Sequence, residues 1–362
     1  MLVSVKSFLS DQQEYPSRQV VPRNPFKIAS LPWQARLYAF AYHGGRRTRS
    51  GNLAAALARR AYRFSRRLRL PSTGRFELAL PKGGKSIAFD AHNTQFHAIY
   101  LPKYRSGYEV ETGMLIDTFA SETSHFWDIG ANWGYFSLHL AAHPEFSGAI
   151  HAFEPFPRSH RDLARAVEQA GLQKVVTCHE IALSDKSGQV GMKLADNLHS
   201  GLGMVDESSG GARMACATAD SLPLPPPSLI KMDVEGHELS VLKGAAATIA
   251  AAKPWIILEN WREKPTNTLS PLHWLEDAGY QLYIPAWIDS SEPGMTHLTQ
   301  EFHAPGRQGV EKTKRLALVQ IRTVQRYLFS EHVNLFAAHK DKAETLKLKF
   351  PANRLSNILM DP

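Results

Sequence analysis

Three carboxylates stand where the chain passes from an apolar run towards a glycine or a helix start: Asp128 before Gly130, Glu154 before Pro155, and Asp233 before Gly236. Asp128 belongs to Trp127-Asp128-Ile129-Gly130-Ala131-Asn132-Trp133-Gly134-Tyr135-Phe136, an apolar strand running into a helix. Glycines in such a loop let the backbone approach a ligand without a Cβ clash, and a helix amino terminus offers unpaired N–H groups. A dinucleotide fingerprint would need Gly-x-Gly-x-x-Gly, whereas here Asn132 separates Gly130 from Gly134 and an acid precedes the loop. That departure favours a sulfonium nucleoside, S-adenosylmethionine, over a pyrophosphate, because its amino-acid end suits carboxylates and amides.

Glu154 follows the glycine loop by 20 residues, at the expected exposed end of the next strand. A carboxylate there can accept hydrogen bonds from both hydroxyls of a ribose. Asp233 lies in Lys231-Met232-Asp233-Val234-Glu235-Gly236-His237-Glu238, again at a strand end. In an open parallel sheet ligands bind beyond the carboxyl ends of the strands, so Asp233 is expected to share a crevice with Asp128 and Glu154. Plain alternatives exist: Asp233, Glu235 and Glu238 could simply stabilise a helix start. No histidine cluster at ligand spacing joins these acids, and no metal is expected.

The elements needed to position these residues are legible from Gly107 onward, where strands alternate with helices as in a mostly parallel sheet. Helices are expected at 109–120, 135–142, 159–170 with Gly171 as its cap, 238–252 and 271–278. Strands are expected at 124–129, 149–153, 175–183, 229–232, 255–259, 281–285 and 333–338, with a hairpin at 189–205. Upstream, the first ~45 residues read as an extended arm with short helical pieces. A small hairpin follows around Lys82-Gly83-Gly84.

These motifs together resemble the FkbM-type methyltransferase family, from about Tyr104 to Glu259. The likeness includes Gly107-Tyr108-Glu109, the Asp128 to Ser137 block, Phe153-Glu154-Pro155, Ala182-Leu183-Ser184-Asp185, Ala217 to Leu222, and the Lys231 block followed by Leu242-Lys243-Gly244-Ala245. The resemblance implies a class I methyltransferase fold: a Rossmann-like, doubly wound α/β sheet of about seven strands with an antiparallel last hairpin. It also implies S-adenosylmethionine as methyl donor and O-methylation of a sugar, glycan or natural product. By that likeness Asp128, Gly130 and Asn132 surround the methionine end and ribose, Glu154 holds the ribose hydroxyls, and Gly134, Phe136 and Pro155 belong to the same cofactor site. Ser184 or Asp185 would meet the adenine edge, and Asp233 would border the methyl group. Trp133 departs from the pattern, in which a smaller apolar residue is common.

A hydroxyl acceptor needs a base within hydrogen-bond reach. Asp233, His237, Glu259 and His199 flank the expected crevice, and the sequence does not choose among them. The alternatives to a methyltransferase are a nicotinamide-dependent oxidoreductase, whose glycine fingerprint is missing, and a non-catalytic S-adenosylmethionine-binding module.

Composition frames the rest. The 362 residues carry a formal net charge of +8, unevenly placed: nine arginines and no acid lie between Arg46 and Arg69. Leu53, Leu57, Ala61, Phe64 and Leu68 fall on one face of a helix there. Either that stripe packs on the catalytic domain and leaves a solvated basic face, or the segment docks on an anionic membrane or a phosphate-bearing substrate. Nucleic acid is disfavoured, because no interleaved aromatics accompany the arginines. Cys178 and Cys216 stand apart, as in a reducing compartment, and no run reaches the ~18 apolar residues of a membrane span. The expected layout is an accessory region at 1–104, a methyltransferase domain at 105–340 and a charged tail at 341–362, in a cytoplasmic protein able to sit at the inner face of a membrane. The oligomeric state is not readable.

Overall fold

In a computed structural model, residues 22–43, 49–68, 70–194, 203–205, 212–261, 269–289, 297–299, 314–329 and 332–350 are described. His199, Arg46, Arg47 and Arg69 lie outside them. The amino-terminal region holds β1 (Phe26–Ser30), α1 (Trp33–Tyr38), α2 (Arg49–Arg67), β2 (Thr73–Leu78), β3 (Lys85–Asp90) and α3 (His97–Tyr100). The expected hairpin is β2–β3, and β1 adds a third antiparallel strand within what read as an arm. Alternation explains the sheet: Phe76, Leu78, Ile87 and Phe89 point to one face and are almost fully buried.

Then follow α4 (Val110–Phe119), β4 (His125–Ile129), α5 (Tyr135–Ala141), β5 (Ala149–Phe153), α6 (Pro157–Ala170), β6 (Val176–His179) and β7 (Ala182–Leu183). Gly171 caps α6 in the left-handed region, as the sequence predicts. Next come β8 (Gly188–Leu194), β9 (Gly203–Val205), β10 (Ala212–Ala217), β11 (Leu229–Met232), α7 (Glu238–Gly244), α8 (Ala246–Ala252) and β12 (Trp255–Trp261). The chain continues through α9 (Ser270–Asp277), β13 (Tyr280–Asp289), β14 (His297–Thr299), β15 (Lys314–Ile321), β16 (His332–His339) and α10 (Ala343–Lys349).

Among the described residues the main sheet has nine strands, in the order β14-β13-β16-β12-β11-β4-β5-β6 with β15 on β13. Strands β6, β5, β4, β11 and β12 run parallel, and β16 is antiparallel to both β12 and β13. Seven of the nine strands form the expected class I core, with β16 inserted as the reversed strand; β14 and β15 extend its far edge. The parallel strands are buried on both faces. Phe126, Ile150 and Ile257 enter one core cluster, while Trp127, Phe153, Ile256 and Leu258 enter the other. From β4 the order runs outward to β5 on one side and to β11 on the other, so the β4–β11 boundary is the topological switch point where ligands bind in such sheets.

Two differences from the sequence reading have physical causes. The expected single helix 238–252 breaks at Ala245, and the close packing of Gly244 on the Ser184 carbonyl shows how tightly α7 is seated there. The segment beyond 341 carries α10, whose Leu346 joins the main core together with Phe350. Trp133 also finds its reason: it is buried against Phe26, Phe76 and Phe96, at ring distances of 4.6–6.0 Å, and locks the amino-terminal sheet to the glycine loop. Arg23 adds a polar tie, donating to both Asp117 carboxylate oxygens and to the His139 carbonyl.

Candidate active site

The glycine loop leaves β4 at the switch point and folds back on its neighbours. Gly130 and Ala131 both donate their N–H to the Phe153 carbonyl at 3.0 Å. A Cβ on Gly130 would meet the Asp233 carbonyl oxygen at 1.8 Å, and one on Gly134 would meet Leu163 at 2.5 Å. Both glycines sit at positive φ, +78° and +92°. Their smallness therefore serves the contact between loop and protein, not only an approach by a ligand.

Asp128 is buried and accepts from the Ser137 hydroxyl at 2.6 Å. Its Oδ1, and the Oδ1 of Asn132, are buried acceptors with no hydrogen-bond partner among the described residues. Asn132 holds a left-handed φ of 52° and donates its N–H to Glu154 Oε2 at 2.8 Å. Glu154 is not at an exposed strand end: it is only 5% exposed, because Asn132 and the Phe156 N–H fold over both of its oxygens. Burial pushes its carboxyl up to about 7, against the lowering effect of those two hydrogen bonds. Pro155 beside it is half-buried.

Opposite this loop lies a charge cluster. Lys231 is buried, with Nζ 3.2 Å from Asp233 Oδ2 and 5.2 Å from the centre of the Phe136 ring. Burial works to lower the lysine's pKa, yet Asp233, Asp128, Glu109 and Glu259 together hold it above its ordinary value. Burial, the largest effect, works to raise Asp233, but Lys231, the hydrogen bonds with Glu259 and Lys231, and the His332 charge together keep the carboxyl below the usual range. Glu259, at the end of β12, is buried, accepts from Trp261 Nε1 at 2.9 Å, and bonds His332 Nε2. Burial first and the Asp233 charge second push it up to about 8. His332 stacks on Trp261 at 4.5 Å. Burial would lower its pKa, but Glu259 holds it raised.

The fold thus brings Asp128, Asn132, Glu154, Phe136, Asp233 and Glu259 to one end of the sheet. A second group forms beside it: Ser184 Oγ lies 2.9 Å from His237 Nε2 and 3.2 Å from Asp185 Oδ1. That bond commits His237 to the segment expected at the adenine edge. Glu238 accepts from the Gly236 N–H at 2.9 Å, a helix-start role.

Three residues escaped sequence reasoning. Glu109, at a left-handed φ of 42°, accepts from Asn334 at 3.1 Å and feels Lys231 and Asp233; its only sequence signal is the Gly107-Tyr108-Glu109 block. His332 lies 73 residues beyond Glu259, opposite Trp261 in the antiparallel register, which only the topology reveals. Arg326, fully buried, clamps the Asn260 side chain and carbonyl at 2.6 and 2.7 Å, next to Glu259. Of the four non-glycine residues at positive φ among those described, Glu109, Asn132 and Glu235 belong to this region, as strained backbone tends to cluster at functional sites.

Asp233, Glu235 and Glu259 offer carboxylate oxygens within 4.8 Å of one another. Their neighbourhood already contains a cation: Lys231 is salt-bridged to Asp233, and His332 bonds Glu259.

The sheet order with its reversed strand and the acid-flanked glycine loop at the switch point define a class I methyltransferase fold. Residues 128–282 match the Methyltransferase FkbM domain. A curated relative, the hexuronic acid methyltransferase AglP of Haloferax volcanii, is 28% identical over 144 residues, which is 39% of this chain and 57% of the relative. The chain therefore spans little more than half of that relative's length. Among solved structures, methyltransferase FkbM from Methylobacillus flagellatus overlaps 49% of this chain and 43% of its own, at 19% identity and a TM-score of 0.34. A precorrin-6y methyltransferase from Geobacter metallireducens overlaps 66% and 92%, at 14% identity and a TM-score of 0.35.

Proposed function

We propose that this chain transfers a methyl group from S-adenosylmethionine to a hydroxyl of a sugar or glycan. The observation that carries the reading is the pair of partnerless buried acceptors, Asp128 Oδ1 and Asn132 Oδ1, in the glycine loop of an FkbM-type domain. Buried acceptors are ordinarily satisfied, so these two suit a donor-rich, positively charged ligand. The surroundings agree: Asp128, Glu154, Asp233, Glu259 and Glu109 interact electrostatically around Lys231, an excess of acid that favours a bound cation. Asp128 and Asn132 would hold the methionine end and Glu154 the ribose hydroxyls, with Ser184 and Asp185 nearer the adenine.

When bound, the cofactor supplies a methyl group on a positively charged sulfur. Glu259 would take up the proton of the acceptor hydroxyl on its carboxylate as that oxygen is methylated. Glu259 is suited to this because its pKa, pushed up to about 8, lies near neutrality, where a general base is most effective. His332 positions Glu259 through their hydrogen bond, and Lys231 keeps Asp233 ionised beside it. No metal is assigned a role, since Lys231 and His332 already partner the carboxylates.

A sugar acceptor is supported by the hexuronic acid methyltransferase named above. Incubation with S-adenosylmethionine and a panel of sugars, hexuronic acids included, tests the reading through release of S-adenosylhomocysteine. Release dependent on a sugar hydroxyl is expected. Cofactor binding without release for any acceptor would leave only the non-catalytic module, and the family match already argues against a nicotinamide oxidoreductase.

A further inference from the structure

Helix α2 presents two apolar faces, and among the described residues only one is packed. Ala55, Ala58, Tyr62 and Ser65 are buried, spaced by three, four and three residues along the inner side. Tyr62 packs on Tyr38 at 5.4 Å and reaches the Ala91 carbonyl, while Ser65 contacts His92. The stripe that the sequence singles out points the other way: Leu53, Leu57, Phe64 and Leu68 are 65%, 57%, 61% and 53% exposed. At 100° per residue these four fall within an arc of about 60°. Arg60, Arg63 and Arg67 are exposed and fall along one flank of that arc. Trp33 and Phe40, in and just after the adjoining α1, are each 48% exposed.

We infer that this outer face of α2 docks on an anionic membrane surface, with the Leu53 to Leu68 stripe entering the headgroup–acyl boundary and the arginines engaging lipid phosphates. The proposal is independent of the methyl-transfer reading. An exposed, contiguous apolar stripe is unusual on a protein that stays in water. A basic flank beside an aliphatic and aromatic one is the composition that lies in a lipid interface. Charge complementarity separates this occupant from the others. A phosphorylated soluble ligand or a nucleic acid would engage the arginines and leave the leucines in water. A second copy would cover the leucines but bring two arginine flanks together, with no acid between positions 46 and 69 to offset them.

The test uses the full-length protein, because Arg23 and Phe26 are built into the core and truncation would disturb it. Co-sedimentation is measured with vesicles of phosphatidylcholine alone and with added phosphatidylglycerol, at low and high salt, for the wild type, for Leu57→Ser with Phe64→Ser, and for Arg60→Glu with Arg63→Glu and Arg67→Glu. Circular dichroism of each variant checks that the fold is kept. The wild type should bind the anionic vesicles and release steeply with salt, since screening acts over about 8 Å at physiological ionic strength. At about fivefold per arginine near an anionic surface, the charge variant should lose a hundredfold or more. The serine variant should lose at least about tenfold, reflecting two large side chains no longer buried. Equal binding to both vesicle types would overturn the proposal, as would wild-type binding by the serine variant. Absence of vesicle binding, with a dimer that dissociates in the serine variant during sedimentation, would assign the face to a second copy instead.

Discussion

Gly130 and Asp233 touch backbone to backbone across the switch point: a Cβ on the glycine would stand 1.8 Å from the aspartate carbonyl oxygen. The same strand ends are tied by the Asp233 N–H, which donates to the Ile129 carbonyl at 3.0 Å. The glycine loop and the catalytic strand end are thus one mechanical unit. Gly130→Ala is expected to cost about 3 kcal/mol or more, from the clash and the left-handed backbone together. Thermal unfolding checks this; a change of Tm within the range of ordinary surface variants would show that the contact is easily relaxed.

Glu154 gives a pH dependence with a definite sign. Its carboxyl stands near 7 in the folded protein against an ordinary 4.5, so its contribution to stability is complete below 4.5 and is lost as pH rises through 7. Ribose hydroxyls donate to the ionised form, so cofactor affinity should rise between about pH 6 and 8. Glu154→Gln should flatten both profiles. Titration of S-adenosylhomocysteine against both proteins across that range decides it, and parallel pH curves for the two would remove Glu154 from the ribose site.

Glu259 and His332 should separate by their kinetics. Glu259→Gln is expected to lower kcat by about 10²–10⁴ while leaving cofactor affinity near the wild-type value. His332→Asn should lower kcat less and shift the acidic limb of the pH profile to higher pH, since it removes the hydrogen bond and charge that hold the Glu259 carboxyl down. A Glu259→Gln enzyme with undiminished kcat would transfer the proton role elsewhere, first to Asp233, whose carboxyl hydrogen-bonds Glu259.

The link between the amino-terminal region and the catalytic core is tested in acid. Burial works to raise Asp117, but His139 and Arg23 together hold it at about 2, below its ordinary 3.8. Its stabilising contribution is therefore present above 3.8 and is lost as pH falls towards 2. Asp117→Asn should lower Tm at neutral pH and narrow the gap to wild type on acidification. A difference that stays constant with pH would mean that packing, rather than the ion pair, holds the arm.

Much of this architecture is readable in the sequence because it is written locally. Strands β5 and β11 and the Gly171 cap follow from apolar runs and glycine punctuation, and they emerge at the same residues in the structure. The glycine loop, Glu154 and Asp233 are legible for the same reason. What is not legible depends on long-range pairing. Strand β1 reads as an arm because Phe26 finds its partners only across the chain, in Phe76, Trp133 and Tyr135. His332 meets Glu259 through the β12–β16 register, and Arg326 meets Asn260 across 66 residues. The stripe on α2 shows the limit of periodicity: spacing identifies an apolar face, while burial of Tyr62 and Ser65 decides that the other face packs inward.

The central claim is that the loop from Asp128 to Asn132, with Glu154 and Asp233, holds S-adenosylmethionine. Isothermal titration of the purified protein with S-adenosylmethionine, S-adenosylhomocysteine and NAD tests it most directly. Saturable heat with the first two ligands, one site per chain, weakened by Asp128→Asn and absent with NAD, is the expected result. No heat with either sulfur nucleoside at millimolar concentration, or binding of NAD alone, would contradict it.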